Sequence, residues 1–305
     1  MIQQSVVKVD RIVPELPPQG QSLRLIIDSD VGNEIDDFYA IALALVSPDR
    51  IRLEGLVAAS YNNSSPGAGP ASIQTSYDLC VELLDAAGMK GKYPLVCGAH
   101  PCQYYGYPSE GEGVDFIIER AHAGSEDDPL WVVGLGVATD LASAILKDPT
   151  ILPKVRYVYH GRSDFTWPER SVQFNVKGDI HAARTLLQQW VPLVWFDTGT
   201  HLSCDYKITE KVLAPISELG KYLHDFRDRN PHFAAPNKGF FDMGDIAWMI
   251  DPDICQSEIV RAPTMNEYMY FDQTRPNGKM LRIFDIDNDR TWNMLFQRMA
   301  EFYHS

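Results

Sequence analysis

Six short apolar runs rich in β-branched and aromatic residues recur up to residue 199: LRLIIDSD (23–30), IRLEGLVAAS (51–60), YPLVCGA (93–99), LWVVGLG (130–136), VRYVYHG (155–161) and VPLVWFDTG (191–199). Stretches with helical patterning separate them, over 36–47, about 69–88, 113–123, 139–147 and 179–190. Near-continuous apolar strands are buried only when both faces of their sheet are covered. The alternation therefore predicts an α/β fold, an open and mostly parallel sheet with helices on both faces. After residue 200 the alternation fails. Segments 208–229 and 242–249 read as helical, 256–261 and 280–285 as extended, and 288–303 as a closing amphipathic helix, which together predict a helical C-terminal appendage on the sheet.

No Gly/Ser/Pro linker precedes that region, so one domain over 1–305 is expected, with residues 1–20 as an extended N-terminal arm. At 305 residues and 45% hydrophobic composition the chain can bury a sizeable core. It carries no run of about 18 apolar residues, and its first twenty residues lack a basic start and an apolar signal core, so no membrane association and a cytoplasmic location are expected. Five scattered cysteines with no CxxC pair suggest neither a disulfide framework nor a thiolate zinc site. A formal net charge of −14 argues against a nucleic-acid partner, since such binding relies on lysine and arginine displacing counterions.

The first strand runs into Asp28, Asp30, Glu34, Asp36 and Asp37 and then straight into an apolar helix. At about 4 Å and an effective dielectric near 20, two ionised carboxylates repel by roughly 4 kcal/mol. Helix capping and the macrodipole give Asp36 and Asp37 one reason to open a helix, but about 0.3 to 1 kcal/mol each does not offset the crowding. A hard divalent cation bound by oxygen ligands does, and calcium suits a turn without sulfur or imidazole. Asp28 and Asp30, two apart on a strand, share a face at the carboxyl end of the first strand, where open parallel sheets bind ligands. An EF-hand does not fit, because its fifth, sixth and twelfth positions counted from Asp28 are Gly32, Asn33 and Tyr39. A haloacid dehalogenase-type phosphatase accounts for the Asp28/Asp30 pair but not for Asp36 and Asp37.

DSDVGNEIDD resembles the opening signature DTDxGxDD of the inosine-uridine type nucleoside hydrolases, with two extra residues between the glycine and the Asp-Asp pair. Four further segments are similar in the same order: LVAASYNN (56–63), GLGVATDLASAIL (134–146), QFNVKGDIHAA (173–183) and FFDMGDIAWMIDP (240–252). The resemblance implies a Rossmann-like nucleoside hydrolase fold and hydrolysis of an N-glycosidic bond to free base and ribose. It further implies calcium held by Asp30, Asp37, Asp242 and the Thr139 carbonyl, with Asp30 as general base and Asp28 supporting the ligands from behind. Asp36, Asn62, Gln173 and Asn175 would bind ribose hydroxyls, and a homodimer or homotetramer would be the assembly.

Three positions depart from the family pattern. Phe241 stands where the family often has a proton-donating histidine, Gln173 replaces a glutamate, and Ser109 aligns where another histidine tends to occur. Metal and ribose recognition are expected to be intact, whereas the leaving-group acid is open. His160, His100 and His232 are its candidates, and Phe165, Trp167, Tyr104, Tyr105, Tyr107 and Phe241 are candidates for stacking on the base. A family member that binds a nucleoside without turning it over is the alternative to an enzyme.

Overall fold

Strands form at each of the six apolar runs: β1 (Leu23–Ser29), β2 (Ile51–Ala58), β3 (Leu95–Cys97), β4 (Leu130–Gly134), β5 (Val155–His160) and β6 (Leu193–Phe196). The structure, a computed structural model, describes residues 11–62, 69–236, 238–275 and 277–304. Residues 1–10 of the expected N-terminal arm lie outside the described residues, and 11–18 carry no regular secondary structure. The intervening helices are α1 (Asp36–Leu45), α2 (Ser72–Ala86), α3 (Glu112–His122), α4 (Thr139–Lys147), α5 (Phe174–Gly178) and α6 (Ile180–Gln188). They are followed by the short α7 (Tyr206–Ile208), then α8 (Glu218–Phe226), α9 (Met243–Ile250) and, at the end, α10 (Asn288–His304).

The region after residue 200 adds more than helices. Strands β7 (Cys255–Arg261) and β10 (Lys279–Ile286) join the main sheet, while β8 (Thr264–Met265) and β9 (Phe271–Asp272) pair as a separate two-stranded ribbon. The eight-stranded sheet runs β3-β2-β1-β4-β5-β6-β10-β7, with every pairing parallel except β10 with β7. The chain winds outward one way from β1 to β3 and the other way from β4, so the crevice between the ends of β1 and β4 is the topological switch point. The helical run expected over 208–229 is interrupted around Pro215, and α8 restarts behind Ser217, whose Oγ accepts from the Gly220 amide at 3.0 Å.

Alternation along the strands separates two cores. Leu25, Ile27, Val133, Val158 and Phe196 face one way, against the buried residues of α1, α8, α9 and α10. Ile26, Val132, Tyr157, Tyr159 and Trp195 face the other, against α3, α4 and α6. All ten residues of α1 and all eight of α9 are buried, and the two helices pack together. Tyr39 of α1 is pressed edge-on to Phe240 (4.7 Å between ring centroids) and Trp292 (5.6 Å). This packing brings the first turn of α1 beside the start of α9.

Candidate active site

The carboxylates of Asp36, Asp37 and Asp242 each offer an oxygen within 4.8 Å of the others, and all three residues are buried. Asp36 and Asp37 open α1 at the end of the β1 turn, and Asp242 immediately precedes α9. The Asp242 amide donates to Asp36 Oδ2 at 3.4 Å, and Ser29 Oγ at the end of β1 donates to Asp37 Oδ1 at 2.5 Å. Asp30 closes the group from the strand end. Its carbonyl accepts from the Asn33 amide at 2.7 Å and its Oδ2 from Asn33 Nδ2 at 3.3 Å. Two glycines allow this approach. A Cβ on Gly32 would sit 2.6 Å from the Tyr61 hydroxyl, and one on Gly136 would sit 3.0 Å from Asp30 Cβ.

These carboxylates line a cavity of about 140 Å³ at the switch point, walled also by Leu135, His160, Arg162, Gln173, Phe174, Asn175 and Phe241. Gln173 caps α5, its Oε1 accepting from the amides of Asn175 (2.5 Å) and Val176 (3.4 Å). Asn175 Nδ2 donates to the carbonyls of Leu135 (2.5 Å) and His160 (3.3 Å), tying the ends of β4 and β5 together. Two cations lie close to Phe241, the Arg162 guanidinium 4.3 Å and Lys238 Nζ 5.1 Å from its ring centroid. Lys238, itself buried, pairs with Glu34 at 2.5 Å, so one of the two extra residues of the turn fixes the cavity rim. A larger recess of about 700 Å³ near α10 holds charges already matched, Arg290 with Asp251 (2.9 Å) and Arg298 with Asp49 (2.6 Å), and offers no comparable chemistry.

The electrostatics of the acidic cavity are those of a site built for positive charge. Burial, and then the charges of Asp37, Asp36 and Asp28, hold the Asp30 carboxyl well above the usual range. Burial and Asp36 push Asp37 up to about 7, and burial with Asp36 and Asp37 raises Asp242 well above its ordinary value. Asp36 Oδ1 is buried without a hydrogen-bond partner among the described residues. An all-oxygen donor set with an unmatched lone pair fits a hard divalent cation, which would return these carboxyls to their ionised forms.

Asp28 lies below the cavity on β1, in register with Val57 and Gly134, fully buried, with neither carboxylate oxygen partnered among the described residues. Burial and Asp140 raise its pKa well above the usual range. Three of the expected residues stand outside the cavity wall. Thr139 is the first residue of α4, and its hydroxyl donates to Asp179 Oδ2 at 2.7 Å; the backbone beside Asp30 is instead that of Leu135 and Gly136. Asn62 is exposed beyond the end of β2. Trp167 packs on Phe271 (5.2 Å) under the Arg282 guanidinium (4.7 Å).

Of the other aromatic candidates, Phe165 is 97% exposed, Tyr105 lies under Arg184 at 4.5 Å, and Tyr104 and Tyr107 border a separate recess with His100 and Ser109. His232 is exposed, 4.0 Å from Glu34. His160 alone of the three histidine candidates reaches the acidic cavity. Sequence reasoning passed over Leu135, Phe174 and Arg162 in the wall, and Asp245 behind it. Asp245, three residues after Asp242, is a turn of helix from a recognised acid, which was the available signal.

A family profile described as inosine-uridine preferring nucleoside hydrolase matches residues 25–293. The chain belongs to that family. This nucleoside hydrolase family member is thus a glycosidase acting on N-glycosyl compounds. It is 23% identical to the uncharacterized protein C1683.06c of Schizosaccharomyces pombe, over 91% of this chain and 99% of that one. It is 28% identical to the pyrimidine-specific ribonucleoside hydrolase RihB of Shigella flexneri over 46% of this chain, a match that spans only 47% of that relative. The fold is shared with a plant nucleoside hydrolase, PpNRh1 (TM-score 0.72, 18% identity, 92% of this chain and 99% of that one). It is shared too with a purine-preferring ribonucleoside hydrolase from Gardnerella vaginalis (TM-score 0.69, 20% identity, again 92% and 99%). Among the described residues no helix is long and apolar enough to cross a membrane.

Proposed function

We propose that the protein is a calcium-dependent ribohydrolase that cleaves the N-glycosidic bond of a ribonucleoside, or of a related N-ribosyl compound, to ribose and free base. The observation that carries this reading is the convergence of Asp30, Asp36, Asp37 and Asp242 on one small buried cavity at the switch point. Asp37, Asp242 and Asp30 would hold the ion, with the Leu135 backbone close by. A cation there supplies a polarised water and fixes sugar hydroxyls.

The remaining work belongs to the chain. Asp30, ionised once a cation is present and steadied by Asn33, takes the proton from the attacking water. Asp36, with one free carboxylate oxygen, accepts from a sugar hydroxyl, and Gln173 and Asn175 present amides to the others. Phe241 brings an aromatic ring to the cavity wall, a surface suited to a nucleobase. Asp28 stays below, acting on the ligands through the strand and not on the substrate. The same reading carries one domain, a role in purine or pyrimidine salvage in the cytoplasm, and a dimeric or tetrameric assembly open to sedimentation analysis.

The test is release of reducing sugar from uridine, cytidine, inosine, adenosine and guanosine by the purified chain, with calcium and with chelator. Calcium-dependent release from at least one nucleoside, lost in Asp30→Asn and Asp242→Asn, is the expected result. No release from any nucleoside by calcium-loaded protein would refute the proposal.

A further inference from the structure

Behind the acidic cavity sits a buried pair that none of the roles above uses. His160, the last residue of β5, is 1% exposed, and its Nδ1 lies 2.7 Å from Asp245 Oδ2. Asp245 is wholly buried in the first turn of α9, and the same Nδ1 is 3.6 Å from Asp242 Oδ1. The imidazole face stacks on Phe196 (centroids 5.9 Å apart, planes at 27°), and the His160 carbonyl accepts from Asn175 Nδ2. The ring is therefore fixed at one nitrogen, one face and its own backbone. Its other nitrogen, Nε2, is buried with no hydrogen-bond partner among the described residues, and the residue forms part of the cavity wall.

We infer that His160 is a substrate-binding residue whose Nε2 hydrogen-bonds a hydroxyl of the sugar, and that Asp245 is the positioning residue that holds the ring for it. A phenylalanine would stack on Phe196 equally well without burying an unmatched nitrogen, so packing alone gives no reason for an imidazole here. Nor does stability explain Asp245, a further carboxylate placed within reach of Asp36 and Asp242. Both become intelligible if the matching group arrives with the substrate. A hydroxyl both donates and accepts, so it suits Nε2 whichever ring nitrogen carries the proton. The inference rests on the proposed ribohydrolase reading and adds a sugar contact to it.

The test pairs substrate deletion with side-chain deletion. kcat/KM is measured with calcium for the unaltered protein, His160→Phe, His160→Gln and Asp245→Asn on uridine and inosine and on their 2′-, 3′- and 5′-deoxy counterparts; Kd by calorimetry replaces kcat/KM where there is binding without turnover. Removing the partnered hydroxyl should cost the unaltered protein about ten-fold or more and His160→Phe about two-fold or less, because the contact is already gone. His160→Gln, which keeps a polar atom, and Asp245→Asn, which keeps a polar neighbour, should lose an intermediate part of the same discrimination. Equal losses on all four forms of the nucleoside in each variant would mark a structural role and overturn the inference alone. Should the unaltered protein neither cleave nor bind any nucleoside, the ribohydrolase reading falls and this inference with it.

Discussion

Ser29 Oγ lies 2.5 Å from Asp37 Oδ1, a hydrogen bond from the last residue of β1 to the second residue of α1. It sets the angle of the Asp37 carboxylate toward the cavity that Asp36 and Asp242 share. Groups that orient metal ligands in this way typically contribute about 10- to 100-fold in metal affinity. Ser29→Ala should weaken calcium binding by roughly ten-fold or more, as read by calorimetric titration. Unchanged affinity would mean that the Ser29 hydroxyl does not orient a metal ligand.

The acidic cavity makes stability depend on pH in a defined direction. Asp37 is pushed up to about 7, and Asp28, Asp30 and Asp242 are raised well above their ordinary values, burial being the first cause in each case. Folded pKa values above the unfolded ones mean that the native state keeps protons the unfolded chain has lost. The stabilising contribution of Asp37 is full below about pH 4 and is lost as pH rises through about 7, and that of the other three is lost over a range likewise shifted up from the ordinary carboxylate one. Chelated protein should thus melt at falling temperature from pH 5 to pH 8, and calcium should raise the melting temperature more at pH 8 than at pH 5. A chelated melting temperature that stays flat or climbs over this range would contradict the account.

Arg50 is a stability determinant remote from the chemistry. Buried at 2% exposure, it donates to the carbonyls of Met249 (3.0 Å), Pro18 (2.9 Å), Gln21 (2.6 Å) and Pro17 (2.8 Å), lashing the N-terminal segment to the end of α9. Arg50→Met keeps the stem and strands the carbonyls. A loss of about 3 kcal/mol is expected from several charge-assisted bonds, measured by urea unfolding. The calcium affinity of the folded fraction should be unaltered.

Phe241 serves the proposed site as a surface and not as a proton donor. Phe241→Ala should raise KM for an accepted nucleoside by about ten-fold while kcat changes less, because stacking is present in both ground and transition states. A large fall in kcat at constant KM would instead point to a role in the departure of the base.

The sheet and the first half of the cavity were legible because their signals are local. Strand-end acids two and eight apart, Asp28, Asp30 and Asp36, read directly from the alternation of apolar runs. Asp242 depended on the resemblance, since 206 residues separate it from Asp36 and only the packing of α1 on α9 joins them. His160 and Asp245 share no motif and lie 85 residues apart, so their pairing could not be read. Trp167 illustrates the opposite difficulty. Its loop begins at a strand end, yet the indole folds onto Phe271 and Arg282, and nothing in the neighbouring residues distinguishes those two courses. The joining of β10 to β6 was hidden for a related reason, because edge pairing is settled by long-range competition and not by strand propensity.

Since α1 belongs to the opening fold unit and α9 to the closing one, an ion gripped by both works as a clasp between the two ends of the polypeptide. Release of that clasp would act first on the seam between the two helices, while the hydrogen-bond ladder of the sheet carries on undisturbed. Starved of its cation, such a molecule would keep its overall form and loosen first where the two helices meet.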